Sequence, residues 1–255
     1  MNLVVNADDF GISEEVNKAI AECFEKGYID RTTIMVNMPY AREAAVIAEK
    51  NGFTDRVGIH INLTAGKPLT EGIAGNAYFC DESGQFNAAF YRNTRLRLHM
   101  DRKTVNDIYE EIKAQYEEYL RLGFTLRHVD SHHHVHTNYP VLKALKKVSS
   151  KYPLESVRLS RNLYVGGSFP SVCYKKFYNR CLKKICRTTT DYFGSFSDAK
   201  TYFDKKTDGS TDTVRKFITD NTLEIMVHPM YSEDGILVDT ETPFEEENLL
   251  YEKIR

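Results

Sequence analysis

The chain has 255 residues, with 34 Lys and Arg against 36 Asp and Glu, five Cys, eight His and no Trp. A net charge of −2 excludes a general nucleic-acid binder, which carries a strong basic excess. No apolar run approaches the ~20 residues that cross a bilayer, and the composition is that of an ordinary soluble globular protein. This length suits one α/β barrel or one doubly wound domain. No basic leader with a long apolar segment precedes Asn6, and Cys23, Cys80, Cys173, Cys181 and Cys186 show no C-x-x-C spacing. Both features suit a cytoplasmic protein with reduced thiols.

In chain order, a short β-branched run at 3–6 reads as a strand opening into Asp8-Asp9-Phe10-Gly11. Ser13 is placed to cap a helix in which Val16, Ile20, Cys23 and Phe24 recur at helical spacing, with Gly27 as its stop. A strand at 33–37, a helix at 42–50 and a strand at 57–62 follow. This alternation predicts a parallel sheet wrapped by helices. It breaks at about 65–103, a Gly- and Pro-containing stretch expected to be an insertion overhanging the strand ends. Thr104 then begins a helix with Ile108, Ile112, Tyr116 and Leu120 on one face.

A strand at 126–129 leads into a histidine cluster, and Pro140 opens the helix after it. Another strand is expected at 156–159. The helix at 171–186 should turn Tyr174, Phe177, Cys181 and Ile185 inward. Its Lys175, Lys176, Arg180, Lys183 and Lys184 read as a solvated face rather than a nucleic-acid patch, and the helix offers a contact surface for a homodimer. A strand at 223–227 runs into His228, and a Glu-rich helix is expected over 243–255. With no repeat and no linker, residues 1–255 read as one domain.

Asp8, Asp9, His60, the cluster and His228 each follow or end a predicted strand on its C-terminal side, where α/β folds gather their active sites. Neighbouring side chains of a strand point in different directions, so the two aspartates should divide the work, one binding metal and one free as a base. A capping turn would also explain Asp8-Asp9, and a core histidine would explain His60 taken alone. The cluster Asp130-Ser131-His132-His133-His134-Val135-His136 is harder to explain by folding. It holds most of a five-histidine crowd at 128–136. Imidazole with carboxylate and water makes an open catalytic metal site. His132 and His136 share a face if the turn is helical, and His132 and His134 if it is extended. The remaining histidines and Asp130 would orient a ligand ring or face substrate. His228 suits acid–base work near neutral pH. Arg158 has two roles open to it, pairing with Asp8 or binding substrate.

Four segments carry a family resemblance: 6–11, 58–64, 128–136 and 227–229. In order and approximate spacing they resemble the motifs of the YdjC-like (ChbG-like) carbohydrate deacetylases over nearly the whole chain. Family members usually continue past the final acidic helix, where this chain stops at Arg255. The resemblance implies an α/β fold, a distorted (β/α) barrel related to polysaccharide deacetylases, with parallel strands ringed by helices. It implies a divalent metal, Mg or Zn, held by Asp9, His60 and His132, with Asp8 as general base and His228 as general acid. It implies removal of acetyl from N-acetylglucosamine-type sugars such as short chitooligosaccharides.

A small acetylated oligosaccharide is therefore the expected partner, with no nucleic acid and no membrane. Tyr78, Phe79 and Tyr164 are candidates to stack on sugar faces. Two other readings stay open: a metal-dependent hydrolase of another amide or a phosphoester, and a catalytically inert sugar- or metal-binding protein.

Overall fold

A computed structural model describes residues 2–163, 166–206, 210–240 and 242–244. In chain order the elements are β1 (Leu3–Phe10), α1 (Glu14–Glu25), β2 (Arg31–Ile34), α2 (Ala41–Lys50), β3 (Val57–Ile61), α3 (Glu71–Ala74), α4 (Ala89–Arg92) and α5 (Thr94–Leu98). Then come α6 (Arg102–Arg121), β4 (His128–Ser131), a 3-10 turn (His132–Thr137), α7 (Tyr139–Lys151), β5 (Leu154–Val157), α8 (Phe169–Leu182), β6 (Cys186–Thr188) and β7 (Tyr192–Ser195). The chain continues through α9 (Phe196–Lys206), α10 (Thr211–Asp220), β8 (Leu223–Val227) and a small antiparallel sheet of β9 (Pro229–Tyr231), β10 (Leu237–Asp239) and β11 (Thr242–Pro243).

The large sheet runs β6-β5-β4-β3-β2-β1-β8-β7, with every neighbouring pair parallel. Its two edge strands are consecutive in sequence, separated only by Thr189, Thr190 and Asp191. So short a link spans at most about 14 Å, and the sheet must curl until its edges approach. The result is a half-barrel ringed by helices, as the alternation of elements predicts. The segment after β5 reaches across the open side: Leu163 N donates to Phe193 O at 3.2 Å, and Phe193 N donates to the Asn162 side chain at 2.8 Å.

Local chemistry explains the helices. The Ser13 hydroxyl accepts from Val16 N, and Asp101 accepts from Thr104 N, so α6 starts slightly before the predicted Thr104. Ile108, Ile112 and Tyr116 are buried as expected, but Tyr119 takes the inward position and Leu120 is exposed. In α8 Tyr178 and Leu182 are the most deeply buried residues; of the predicted face, Ile185 just beyond the helix is buried and Tyr174 and Cys181 pack against the core, whereas Phe177 is exposed.

The insertion is ordered. Glu111 of α6, fully buried, accepts from Leu69 N, Thr70 N and the Thr70 hydroxyl, and so anchors its start. Ile73, Phe79, Phe86 and Phe90 are buried beneath it. Thr242 and Pro243 form β11, Phe244 is buried, and the acidic helix expected from there on lies outside the described residues, as do Tyr164 and Val165. No helix among the described residues is long and apolar enough to cross a membrane.

Candidate active site

Strand β1 delivers both aspartates to one place. Its pairing with β2 shifts register between Ala7 and Phe10, and Asp9 sits there in the left-handed region at φ 68°. Such a bulge cancels the strict alternation of a strand. Asp8 and Asp9 therefore line the same cavity instead of pointing to opposite faces. The 3-10 turn after β4 uses the same device: His133 and His134 have φ of 52° and 54°. Neither a helical nor an extended turn describes it. His132, His133 and His134 all line the mouth of the half-barrel, while His136 turns inward.

Asp9, His60 and His132 converge. Asp9 Oδ1 lies 2.8 Å from His132 Nδ1 and 3.2 Å from His60 Nε2. His60 directs its other ring nitrogen to Asp130 Oδ1 at 2.7 Å, and Thr33 donates to Asp130 Oδ2 at 2.9 Å. Burial alone would lower the His60 pKa, but Asp130, with Asp8 and Asp9, pushes it up to about 10. Burial would raise Asp9, and the bonds from His132 and His60 outweigh it and hold the carboxyl well below its usual range. A field strong enough to keep a proton on a buried imidazole also favours a cation in its place. The three donor atoms lie within 4.8 Å of one another, so this set fits a divalent metal.

Asp8 is held differently. Arg158, fully buried, forks onto it, Nη1 to Oδ2 at 2.6 Å and Nη2 to Oδ1 at 2.7 Å. Burial raises the Asp8 pKa, but the Arg158 charge, with His60 and His228, brings it well below the ordinary carboxylate range. Of the two roles open to Arg158 in the sequence, the geometry shows the pairing with Asp8.

The cavity bounded by Asp8, Asp9, His60, His132, His133, His134 and His228 has a volume of about 510 Å³. His228 follows β8, its backbone N donating to Asp239 Oδ1 at 2.7 Å. His136 does not face substrate. It is fully buried, with Nδ1 2.6 Å from the Ser131 hydroxyl and Nε2 3.1 Å from Arg158 O, and burial lowers its pKa to about 4. Asp130 is likewise fully buried; it touches His60 at 2.7 Å and Arg158 Nη2 at 2.9 Å, and so supports both the donor set and the group that holds Asp8.

The insertion contributes Tyr91 to the cavity wall, stacked on His133 with ring centroids 5.2 Å apart. Of the aromatics the sequence pointed to, Phe79 is buried in the insertion's core and Tyr78 is exposed away from the cavity. A second cavity of about 240 Å³ shares Tyr91, His133, His134 and Arg161 with the first and adds Arg97, Tyr174 and Lys175. Arg97 and Arg161 escaped the sequence reading because both lie in irregular or short segments with no periodicity to orient them.

The profile of a family described as YdjC-like protein matches residues 2–252. A protein of Thermoanaerobacter pseudethanolicus named carbohydrate deacetylase is 32% identical over 240 residues, covering 92% of this chain and 83% of that protein. A Vibrio cholerae protein of the same name is 37% identical over 163 residues, covering 63% of this chain and 60% of that one. A crystal structure from Enterococcus faecalis V583, named for cleavage of cellobiose phosphate, superposes with a TM-score of 0.62 at 25% identity. It covers 91% of this chain and 82% of its own.

Proposed function

Since the chain belongs to the YdjC-like family, we propose that it is a metal-dependent carbohydrate deacetylase, removing acetyl from N-acetylated sugars such as short chitooligosaccharides. The observation that carries this reading is the shared cavity: an Asp–His–His donor set, a carboxylate beside it and a histidine on the other wall. Asp9, His60 and His132 would hold the ion. When bound, Mg or Zn would polarise the amide carbonyl and acidify water, which a weakly basic Asp8 requires.

The rest is the work of the chain's own groups. Arg158 keeps Asp8 ionised, so a proton acceptor is ready at neutral pH. Asp8 takes the proton of the attacking water. His228 gives a proton to the departing sugar nitrogen, which cannot leave as an amide anion. Tyr91, stacked on His133, walls the cavity in which the sugar would sit. A purely binding protein has no use for both a carboxylate and an imidazole set beside the donor set in the same cavity.

A second observation refines the substrate. Arg97, Arg161 and Lys175 line the adjoining cavity, and Arg161 Nε is buried there without a hydrogen-bond partner among the described residues. That wall suits an anionic substituent on the sugar, in keeping with the phosphate in the name of the Enterococcus neighbour. An acetate-release assay on N,N′-diacetylchitobiose and its phosphorylated form tests the function. Release of acetate supports it. Saccharide binding without release, or release of phosphate instead, contradicts it.

A further inference from the structure

The floor of the half-barrel is ionic where apolar packing would be expected. Glu224, 1% exposed, accepts from Arg158 Nε at 2.6 Å and pairs with Arg31 at 2.9 Å. Arg31 Nε donates to Asn6 Oδ1 at 2.9 Å, and Asn6 Nδ2 donates to Asp8 Oδ1 at 2.8 Å. Asp8, Arg158, Glu224, Arg31 and Asn6 thus form a closed ring of hydrogen bonds and ion pairs drawn from β1, β2, β8 and the end of β5. Burying such charges offers little net stability over well-packed apolar side chains. The ring does more for orientation. Glu224 fixes the Nε edge of the guanidinium, which leaves Nη1 on Asp8 Oδ2 and Nη2 between Asp8 Oδ1 at 2.7 Å and Asp130 Oδ2 at 2.9 Å. Asp8 Oδ1 then receives two donors and Oδ2 only one, so Oδ2 keeps acceptor capacity.

The geometry points to Glu224, supported by Arg31, as a positioning residue that aims the Asp8 carboxylate through Arg158. This rests on the reading of Asp8 as proton acceptor. Two variants separate position from charge. Glu224→Gln keeps an oxygen for Arg158 Nε–H, and Glu224→Ala does not. In crystal structures the Gln variant should retain both Asp8–Arg158 contacts. The Ala variant should lose at least one of them beyond about 3.2 Å, the ordinary hydrogen-bond limit.

In acetate-release kinetics, Glu224→Ala should lose about 10²-fold in kcat, the cost of a misplacement of roughly 1 Å. KM and the affinity for added Zn²⁺ should not change, and Glu224→Gln should stay near the parent. If Glu224→Ala does not fold, Arg31→Met removes the other support of Glu224 and should show the same split to a smaller degree. An unmoved Arg158–Asp8 fork in the variant that folds overturns the inference, and so does a Gln variant as slow as Ala. If the parent releases no acetate, the functional reading fails, while the crystal structures still decide the positioning.

Discussion

His60 Nδ1 lies 2.7 Å from Asp130 Oδ1, and its Nε2 faces Asp9 at 3.2 Å. One buried carboxylate thereby sets which ring nitrogen is left for a metal. Partners of this kind typically contribute 10–100-fold to metal affinity. Asp130→Asn should weaken Zn²⁺ binding by about that factor in calorimetric titration. An unchanged affinity would contradict the arrangement.

The donor set and the acid are separable. Asp9→Ala or His132→Ala should abolish metal uptake and turnover together. His228→Ala should keep the metal and lose about 10²–10⁴-fold in rate, the usual worth of one acid–base group. Metal content by mass spectrometry beside acetate-release rates checks both. A His228→Ala variant that loses its metal would place His228 among the ligands.

How much of this was legible in the sequence depends on backbone conformation. The strand ends carrying Asp8, His60 and His228 stood out because polar residues close apolar runs there. Periodicity alone argues against Asp8 and Asp9 sharing a cavity; the two roles given to them already required it, and the left-handed Asp9 is what allows it. β6 and β7, with three and four residues, are too short and polar to register as periodic. The ionic floor had a visible signal: Asn6 and Asp8, Arg31 and Thr33, and His128 and Asp130 alternate at period 2 along their strands. Glu224, inside the run Leu223–Val227, is the polar break that marks the inward face of β8.

The same close-packed floor makes Gly58 sensitive. A Cβ there would lie 2.9 Å from His128 O and 3.1 Å from Thr33 Cγ2. Gly58→Ala should destabilise the fold by about 1–3 kcal/mol, as overpacking does. Thermal unfolding checks this, and an unshifted transition would contradict it.

Stability should also depend on pH in a defined way. Burial holds His128 and His134 well below 6.5 and His136 at about 4. The unfolded chain takes up protons at these residues below about pH 6.5, while folded His136 takes one only near pH 4. Stability of the metal-free protein should therefore fall as pH drops from about 6.5 towards 4. His60 acts oppositely: its raised pKa stabilises fully below about pH 6.5 and the effect is lost as pH rises through about 10. Urea midpoints across this range should trace a dome, and a flat profile would contradict it.

The adjoining cationic cavity can be probed through substrate preference. Arg161→Ala should raise KM for a phosphorylated acetylated disaccharide by roughly 10-fold or more, as loss of a charge-assisted hydrogen bond of about 1.5–3 kcal/mol implies. The neutral sugar should be little affected. Equal effects on both would contradict anion recognition there.

The central claim is that Asp9, His60 and His132 hold the ion on which deacetylation depends. Acetate release from N,N′-diacetylchitobiose should be measured on thoroughly chelated protein, before and after stoichiometric Zn²⁺ or Mg²⁺ is returned. The expected result is no release until metal is restored. Release at full rate by the metal-stripped protein would contradict the claim.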